Sequence, residues 1–399
     1  MTRNIIISTS SQKINFQTPV ELTLEQILLC YKLPTNLFQG FITEDNGRIK
    51  PIPLNIYLQD INESSNVILQ CIRNIDLKQI LPQKTLNKKI ENPINILRDY
   101  DIGNHDCEET VTEIDDNVAK DIVSDKVKKF MQENSDENTL IVGISGGGDS
   151  NTLVKSLKDY STQHSPTKKY LCFTLTLDPI WPEEGARRAQ ELCQKYSVDH
   201  RIFDEKAIEN FLGMRASLQD FYKEFLNKFG RDTQNFFATY IIARVARKLC
   251  IQSKTNEFCL GFNREDLLAE IIFALMNGRK PLEYPVRMFD NMKLLMPLWD
   301  IPKKLLDSCY PKYSLENYQE REVGDERGTF QRSLIFYLGH AFDDIYNNFG
   351  LSFMIGIKKL FKNNWGKLKQ KTAKNDLYIY EYANGKSLQE VEVFLKKYF

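Results

Sequence analysis

The chain has 399 residues, 42% of them hydrophobic, and a formal net charge of zero. That length admits two or three domains with cores of their own, and the balanced charge gives no overall field that would gather nucleic acid. Eight cysteines without a C-x-x-C pair exclude a zinc ribbon or a disulfide framework, and reduced thiols, no signal-like N-terminus and no run near the roughly 18–20 apolar residues of a membrane span predict a cytoplasmic protein without a membrane partner.

Residues 4–8 and 13–19 read as a hairpin of strands, and 22–31 as a short helix with Thr23 and Glu25 at its start. Residues 38–42 and 49–58 read as strands around the turn at Asp45, Asn46 and Gly47, and 66–72 as a last strand. The ββαββ order resembles a ubiquitin-like β-grasp and sets residues 1–80 apart as a small α+β domain, with a scaffold or docking role. Residues 81–117, rich in Lys, Asn and Asp, read as a linker. A helix follows over 116–134, with Val118, Ile122, Val127 and Phe130 as its apolar side.

The next segment, 118–310, alternates strands and helices. The apolar run 140–144 ends in Ser145, Gly146, Gly147, Gly148, Asp149 and Ser150, and a helix-compatible stretch follows. Glycines lack the Cβ that would hold phosphate oxygens away from backbone N–H groups, and a helix points its positive N-terminus at the same place. No Gly-Lys-Ser/Thr closes the loop and no G-x-G-x-x-G is present, so Walker A and dinucleotide readings fail. Strands are expected at 170–177, 199–203 and 258–262, and helices at 182–196, 208–250 with a break near Gly230, and 266–276. Such alternation predicts a parallel sheet covered on both faces, with its ligand at the carboxyl ends of the strands. Asp178 and Asn263 would meet the loop there. The remainder, 311–399, reads as mainly helical and includes a lysine-rich, acid-free tract over 351–373 that holds Phe361 and Trp365. It reads as a solvated helix face, or as a phosphate-backbone contact surface.

A second motif runs through Gly261, Asn263, Asp266 and Glu270. Asp266 and Glu270 are four apart and share a helix face, a spacing suited to holding Mg²⁺ or ordering a basic group. Ser-Gly-Gly-x-Asp-Ser together with Gly-x-Asn-x-x-Asp-x-x-x-Glu resembles the PP-loop N-type ATP pyrophosphatases. The nearest groups are the tRNA 2-thiocytidine and isoleucine-lysidine synthetases, and the enzymes that thiolate a free purine, as in 6-thioguanine formation. The resemblance covers about residues 138–305. It implies a parallel-sheet PP-loop core of the HUP type, with ATP and Mg²⁺ as cofactors. It places Ser145, Gly146, Gly147, Gly148, Asp149 and Ser150 on the pyrophosphate, and Thr176, Leu177 and Asp178 beside the adenosine. Gly261, Asn263 and Asp266 complete the nucleotide site, with Asp149 and Asp266 as metal ligands and catalytic groups. The thiocytidine synthetases carry a C-x-x-C before a helix that here follows RDTQNFF at 231–237, so a cluster or persulfide at that position is not implied. Phe262 stands where the family commonly has histidine.

The implied reaction is adenylation of a carbonyl oxygen on a nucleobase-like acceptor, with release of pyrophosphate, then displacement of AMP by sulfur from a donor. Neutral charge suits a free purine or other small molecule better than tRNA. A tRNA thiolase or lysidine-type ligase, an amide or amidine synthetase using nitrogen, and a nucleotide-binding module without catalysis remain as alternatives. tRNA and a second copy of the chain are the further candidate partners. For the sulfur-carrying thiol, Cys107 stands first: it lies in the polar run His105-Asp-Cys-Glu-Glu, where exposure is expected. Cys309, following the Lys303–Lys304 pair, stands second, because an electropositive neighbour favours thiolate. Cys172, Cys193, Cys250 and Cys259 fall in apolar periodic segments that predict burial. Arg264, Arg287, Lys303 and Lys304 are candidate contacts for substrate or phosphate, or plain surface charges.

Overall fold

The computed structural model describes residues 2–9, 13–31, 33, 35–43, 47, 49–71, 95–100, 109–178, 180–278, 280–289, 291–310, 313, 335, 338–339, 349–372 and 388–399. The chain divides into two compact units. One is built from Met1–Ile122, Pro302–Arg321 and Asp344–Asn348, the other from Val123–Ile301, Glu322–Asp343 and Phe349–Phe399.

In the first unit, β1 (Thr2–Ser8) and β2 (Lys13–Pro19) pair antiparallel, α1 spans Leu24–Cys30, and β3 (Phe38–Thr43), β4 (Ile49–Ile52) and β5 (Asn66–Cys71) complete a sheet of order β2-β1-β5-β3-β4. β1 and β5 run parallel at its centre. This is the β-grasp arrangement the ββαββ order predicts. Ile5, Ile7, Ile14 and Phe16 face Leu24, Ile27 and Leu28 of the helix. Alternation sends Phe41 and Ile68 to the opposite face, where with Ile49 they form a second buried cluster. The sheet is therefore covered on both sides. α1 is held by a reciprocal capping box: the Gln26 N–H donates to Thr23 Oγ1 at 3.1 Å, and the Thr23 N–H to Gln26 Oε1 at 2.9 Å. Thr23→Ala is expected to lower the stability of this unit by about 1 kcal/mol, read as a shift in urea midpoint at unchanged m-value.

The strand expected over 49–58 stops at Ile52. Pro51 and Pro53 remove ladder donors, and the chain turns into a short 3-10 segment, Leu58–Asp60. The segment read as a linker contains an antiparallel pair, β6 (Asn95–Tyr100) with β7 (Glu109–Ile114). Its strands are mostly polar, so they carry little of the apolar alternation by which a half-buried strand is recognised.

α2 (Asp116–Asn134) lies over the residues expected, but its buried stripe is Ala119, Val123, Val127, Phe130 and Met131; Val118 is exposed. The second unit continues with β8 (Thr139–Gly143), α3 (Gly148–His164), β9 (Lys169–Leu175), α4 (Glu183–Tyr196) and β10 (Asp199–Phe203). After these come α5 (Glu205–Leu212), α6 (Leu218–Phe229), α7 (Gln234–Ser253), β11 (Glu257–Leu260), α8 (Arg264–Met276), β12 (Val286–Phe289) and β13 (Met292–Leu295). The long helical stretch breaks at Gly213 as well as at Gly230. Gly213 adopts φ +70 and ends α5, and Ser217 accepts from the Asp220 N–H to start α6.

The sheet order is β10-β9-β8-β11-β13-β12, with every neighbouring pair parallel except β12 and β13. The β12–β13 pair is an addition to the strands read from sequence. Its members have four residues each and join through a turn at Asn291, φ +68. A dense aromatic cluster packs on one side of this unit: Phe221 meets Phe225, Phe237, Tyr240, Phe394, Tyr398 and Phe399. α9 (Lys303–Cys309), α10 (Phe349–Thr372) and α11 (Leu388–Leu395) are the remaining described helices. Phe361 of α10 packs against the core, whereas the side chain of Trp365 lies outside the described residues. Among the described residues no helix is long and apolar enough to cross a membrane.

Candidate phosphate-binding site

β8 lies between β9 and β11, and all three run parallel. Their carboxyl ends therefore open on the same side. β8 is held close on both flanks: a Cβ at Gly143 would stand 2.5 Å from Leu260 Cδ2 and 3.2 Å from the Phe173 ring. Residues 144–147 bridge β8 to α3, whose N-cap is Gly147. The loop closes on itself, since the Ser145 N–H donates to Ser150 Oγ at 2.9 Å and the two hydroxyls lie 3.3 Å apart. Ser150 is thus a strut of the loop, while Ser145 is exposed. Gly146 adopts φ +75, a left-handed conformation that favours glycine. Its backbone packs on the first turns of α4: a Cβ there would lie 2.2 Å from the Gly185 carbonyl oxygen and 2.8 Å from the Ala189 nitrogen.

Asp149 sits in the first turn of α3 and Asp266 in the first turn of α8. Asn263 joins them. Its Nδ2 donates to Asp149 Oδ2 at 3.2 Å, its N–H donates to Asp266 Oδ2 at 3.2 Å, and its Oδ1 accepts from the Asp266 N–H at 2.9 Å. The two carboxylates are thereby fixed beside the starts of two helices. Gly261 lies at the end of β11 with room for a Cβ, 3.6 Å from Leu153 and 3.8 Å from Leu298. Thr176, Leu177 and Asp178 follow β9. The Thr176 N–H donates to Phe203 O, Leu177 and Trp181 exchange backbone hydrogen bonds, and the Asp178 carbonyl accepts from Gln219 Nε2 at 3.0 Å. The Thr176–Asp178 segment thus extends the strand neighbouring the loop.

Other candidates change role. Glu270 forms an ion pair with the buried Arg287 at 2.6 Å, and Arg287 Nε donates to Glu283 O; of the two readings of the Asp266–Glu270 spacing, Glu270 takes the ordering of a basic group, and the pair braces α8 against β12. Arg264 is buried and donates to the Asp300 carbonyl at 2.5 and 3.2 Å. Lys303 pairs with Asp307 at 2.5 Å. Cys309 is buried, with its thiol against Leu305 O, so it does not offer the accessible thiolate that the neighbouring lysines suggest. Cys172, Cys193, Cys250 and Cys259 are buried as expected. Burial raises the Cys250 thiol to about 12 and lifts Cys259 as well, which keeps both as inert thiols. Cys107 lies outside the described residues.

Three polar residues behind the loop carry no motif. Arg188, 4% exposed, donates from Nε to the Gly146 carbonyl at 3.2 Å. Thr174 Oγ1 donates to the Ile144 carbonyl at 3.0 Å and lies 2.9 Å from His200 Nε2. With its proton committed to Ile144, the Thr174 oxygen accepts from His200, which fixes the Nε2–H form of the ring. Burial holds His200 below the usual imidazole value. The unfolded chain therefore takes up the proton first as pH falls. Stability from this group is complete above about pH 6.5 and is lost as pH falls through the lowered folded value. Thermal melts between pH 7.5 and 5 are expected to show that loss in the wild type, and a flatter profile in His200→Gln. Identical profiles would remove His200 as the cause.

The family model described as PP-loop domain matches residues 119–321. No curated protein matches the chain. Among solved structures, the chain is similar to the U34-tRNA thiolase NcsA of Methanococcus maripaludis, described with its 4Fe–4S cluster, at 17% identity and a TM-score of 0.47, covering 62% of this chain and 80% of that one. It is also similar to the NH3-dependent NAD synthetase of Campylobacter jejuni, at 12% identity and a TM-score of 0.34, covering 63% and 95%. A third is the NAD+ synthetase of Burkholderia pseudomallei, at 13% identity and a TM-score of 0.33, covering 61% and 88%.

Proposed function

We propose a function from one premise: the chain belongs to the PP-loop domain family, whose model spans 119–321. The proposed activity is ATP-dependent adenylation of a carbonyl oxygen on a nucleobase-like small molecule, followed by displacement of AMP by sulfur. The observation that carries it is the joining of Asp149 to Asp266 through Asn263 beside a glycine loop that has no room for a Cβ at Gly146.

The residues fit the implied groups. The loop offers glycine backbone and a helix N-terminus to phosphate oxygens. Mg²⁺ usually takes one or two carboxylates and completes its shell with phosphate oxygens and water, and Asp149 and Asp266 supply that donor set. Bound there, the ion would neutralise charge on the departing pyrophosphate. In the first step the acceptor oxygen bonds to the α-phosphorus while the bond from that phosphorus to the pyrophosphate oxygen breaks, and pyrophosphate leaves with the electron pair. In the second, hydrosulfide adds to the acceptor carbon. The carbon–oxygen bond breaks, AMP leaves with the pair, and the proton goes to solvent. The loop's N–H groups stabilise charge as it develops on the leaving group. Cys107 is the proposed thiol where sulfur is carried on the protein.

Among the described cysteines Cys30, on α1 of the first unit, is exposed and the other six are buried; that burial supports a second reading, in which a diffusible nucleophile, sulfide or an amine, displaces AMP. The test is pyrophosphate and AMP release from ATP and Mg²⁺ across nucleobases, nucleosides and total tRNA, with sulfide or ammonia. Acceptor-dependent release with a thiolated product supports the first reading; an aminated product supports the nitrogen alternative. ATP binding without release for any acceptor supports a nucleotide-binding module.

A further inference from the structure

We propose that Arg188 is a positioning residue that locks the peptide between Gly146 and Gly147 so that its N–H faces the phosphate side of the loop; this rests on the adenylation reading above. The peptide is trans, so its carbonyl and N–H point in opposite directions. Whatever holds the Gly146 oxygen therefore aims the Gly147 N–H. Arg188 Nε holds that oxygen at 3.2 Å, from the interior of α4.

The preceding peptide is turned the same way. A Cβ at Gly185 would stand 2.9 Å from the Ser145 oxygen, so that carbonyl lies against α4 as well. Two successive carbonyls thus face α4, and the N–H groups of Gly146 and Gly147 face away from it. Successive N–H groups turned to one side around a left-handed residue form an anion-binding concavity. Gly146 and Gly147 lack side chains, so sterics alone leave the shared peptide free to take either orientation. A flip would present a carbonyl oxygen to the phosphate. The buried guanidinium removes that choice through a charge-assisted hydrogen bond.

The loop itself carries no lysine, in contrast to a Walker loop. Its preference for phosphate rests on oriented backbone, which makes the orientation of each peptide a determinant of affinity. Ser145 N–H is already committed to Ser150, leaving Gly146 and Gly147 as the donors that Arg188 and Gly185 orient.

The experiment measures the affinity of inorganic pyrophosphate with Mg²⁺, of ATP, and of adenosine by calorimetry, for the full chain and for Arg188→Lys, Arg188→Gln and Arg188→Met. Gln and Met are expected to weaken pyrophosphate and ATP binding about 10–100-fold, with adenosine affinity unchanged. Lys, which retains charge and a donor, is expected to fall between them and the wild type. A residue that merely supports the fold would move adenosine and pyrophosphate together, and that result overturns the proposal. So does equal pyrophosphate affinity in all forms. Should Gln and Met not fold, Arg188→Lys decides: selective loss of pyrophosphate affinity supports the lock, and wild-type affinity overturns it. A wild-type chain that binds neither ATP nor pyrophosphate instead removes the adenylation reading itself, which keeps the two failures apart.

Discussion

Asp149→Ala is expected to reduce acceptor-dependent pyrophosphate release by about 10²–10³-fold with the fold intact. Asp149 lies in the first turn of α3, where Asn263 Nδ2 reaches it from the start of α8. Its carboxylate favours the helix N-terminus by a few tenths of a kcal/mol to about 1 kcal/mol, and its loss also takes this acceptor from the buried Asn263 amide, a further cost of about 1–3 kcal/mol. Asp266→Ala is the informative contrast. Asp266 accepts from the Asn263 N–H and completes the capping box of α8, so its removal combines lost activity with the loss of that hydrogen bond, about 0.5–1.5 kcal/mol. If both variants lose activity at temperatures where both remain folded, the two carboxylates share a chemical role that is separate from their structural ones. Full release activity in Asp149→Ala would remove the carboxylate pair from the mechanism. Kinetics with ATP varied at saturating acceptor separate the effects: a lower kcat marks lost transition-state stabilisation, and a raised KM for ATP alone marks lost ground-state binding.

The loop, both carboxylates and Asn263 are legible in the sequence because their chemistry is local. Glycines in a strand-to-helix turn, and an Asn three residues before an Asp at a helix start, announce themselves without a fold. The β-grasp order and the alternating core are legible for the same reason, since their apolar periods are strong. What escapes depends on distant partners. Arg188 reads as one more charge in the helix sequence EEGARRAQELCQKY, and nothing local says that it is buried under Gly146. Thr174 and His200 lie 26 residues apart and meet only because β9 and β10 pair. Glu270 shares a helix face with Asp266, a spacing that suits either Mg²⁺ or a basic group, and only the packing of β12 shows that the basic group is Arg287. Charge spacing cannot distinguish a metal ligand from half of a buried ion pair. Cys309 follows two lysines, a setting that favours a reactive thiol; its Sγ instead meets the carbonyl one turn back.

Gly146→Ala is expected to abolish nucleotide binding and to destabilise the second unit, and two other glycines separate the causes. Gly213 shares the left-handed conformation, φ +70, with open space around it. Gly213→Ala therefore isolates the conformational cost, about 1–2 kcal/mol for an L-residue held there, with nucleotide affinity unchanged. Gly261 has ordinary van der Waals room for a Cβ and no positive φ. Gly261→Ala is expected to leave stability near wild type, the control for a methyl that meets neither overlap nor a left-handed backbone. Gly146 combines both problems, since the alanine methyl would stand 2.2 Å from the backbone oxygen of Gly185. No side-chain rotation relieves that overlap. Either α4 moves away, which breaks the Arg188 hydrogen bond, or the loop leaves φ +75, which turns its N–H groups from the phosphate side. Both routes disarm the cradle, so binding fails however the strain is released. Denaturation midpoints and pyrophosphate calorimetry on the three variants check this, and a Gly146→Ala chain that binds pyrophosphate as tightly as the wild type would show that the phosphate does not rest on these two peptides.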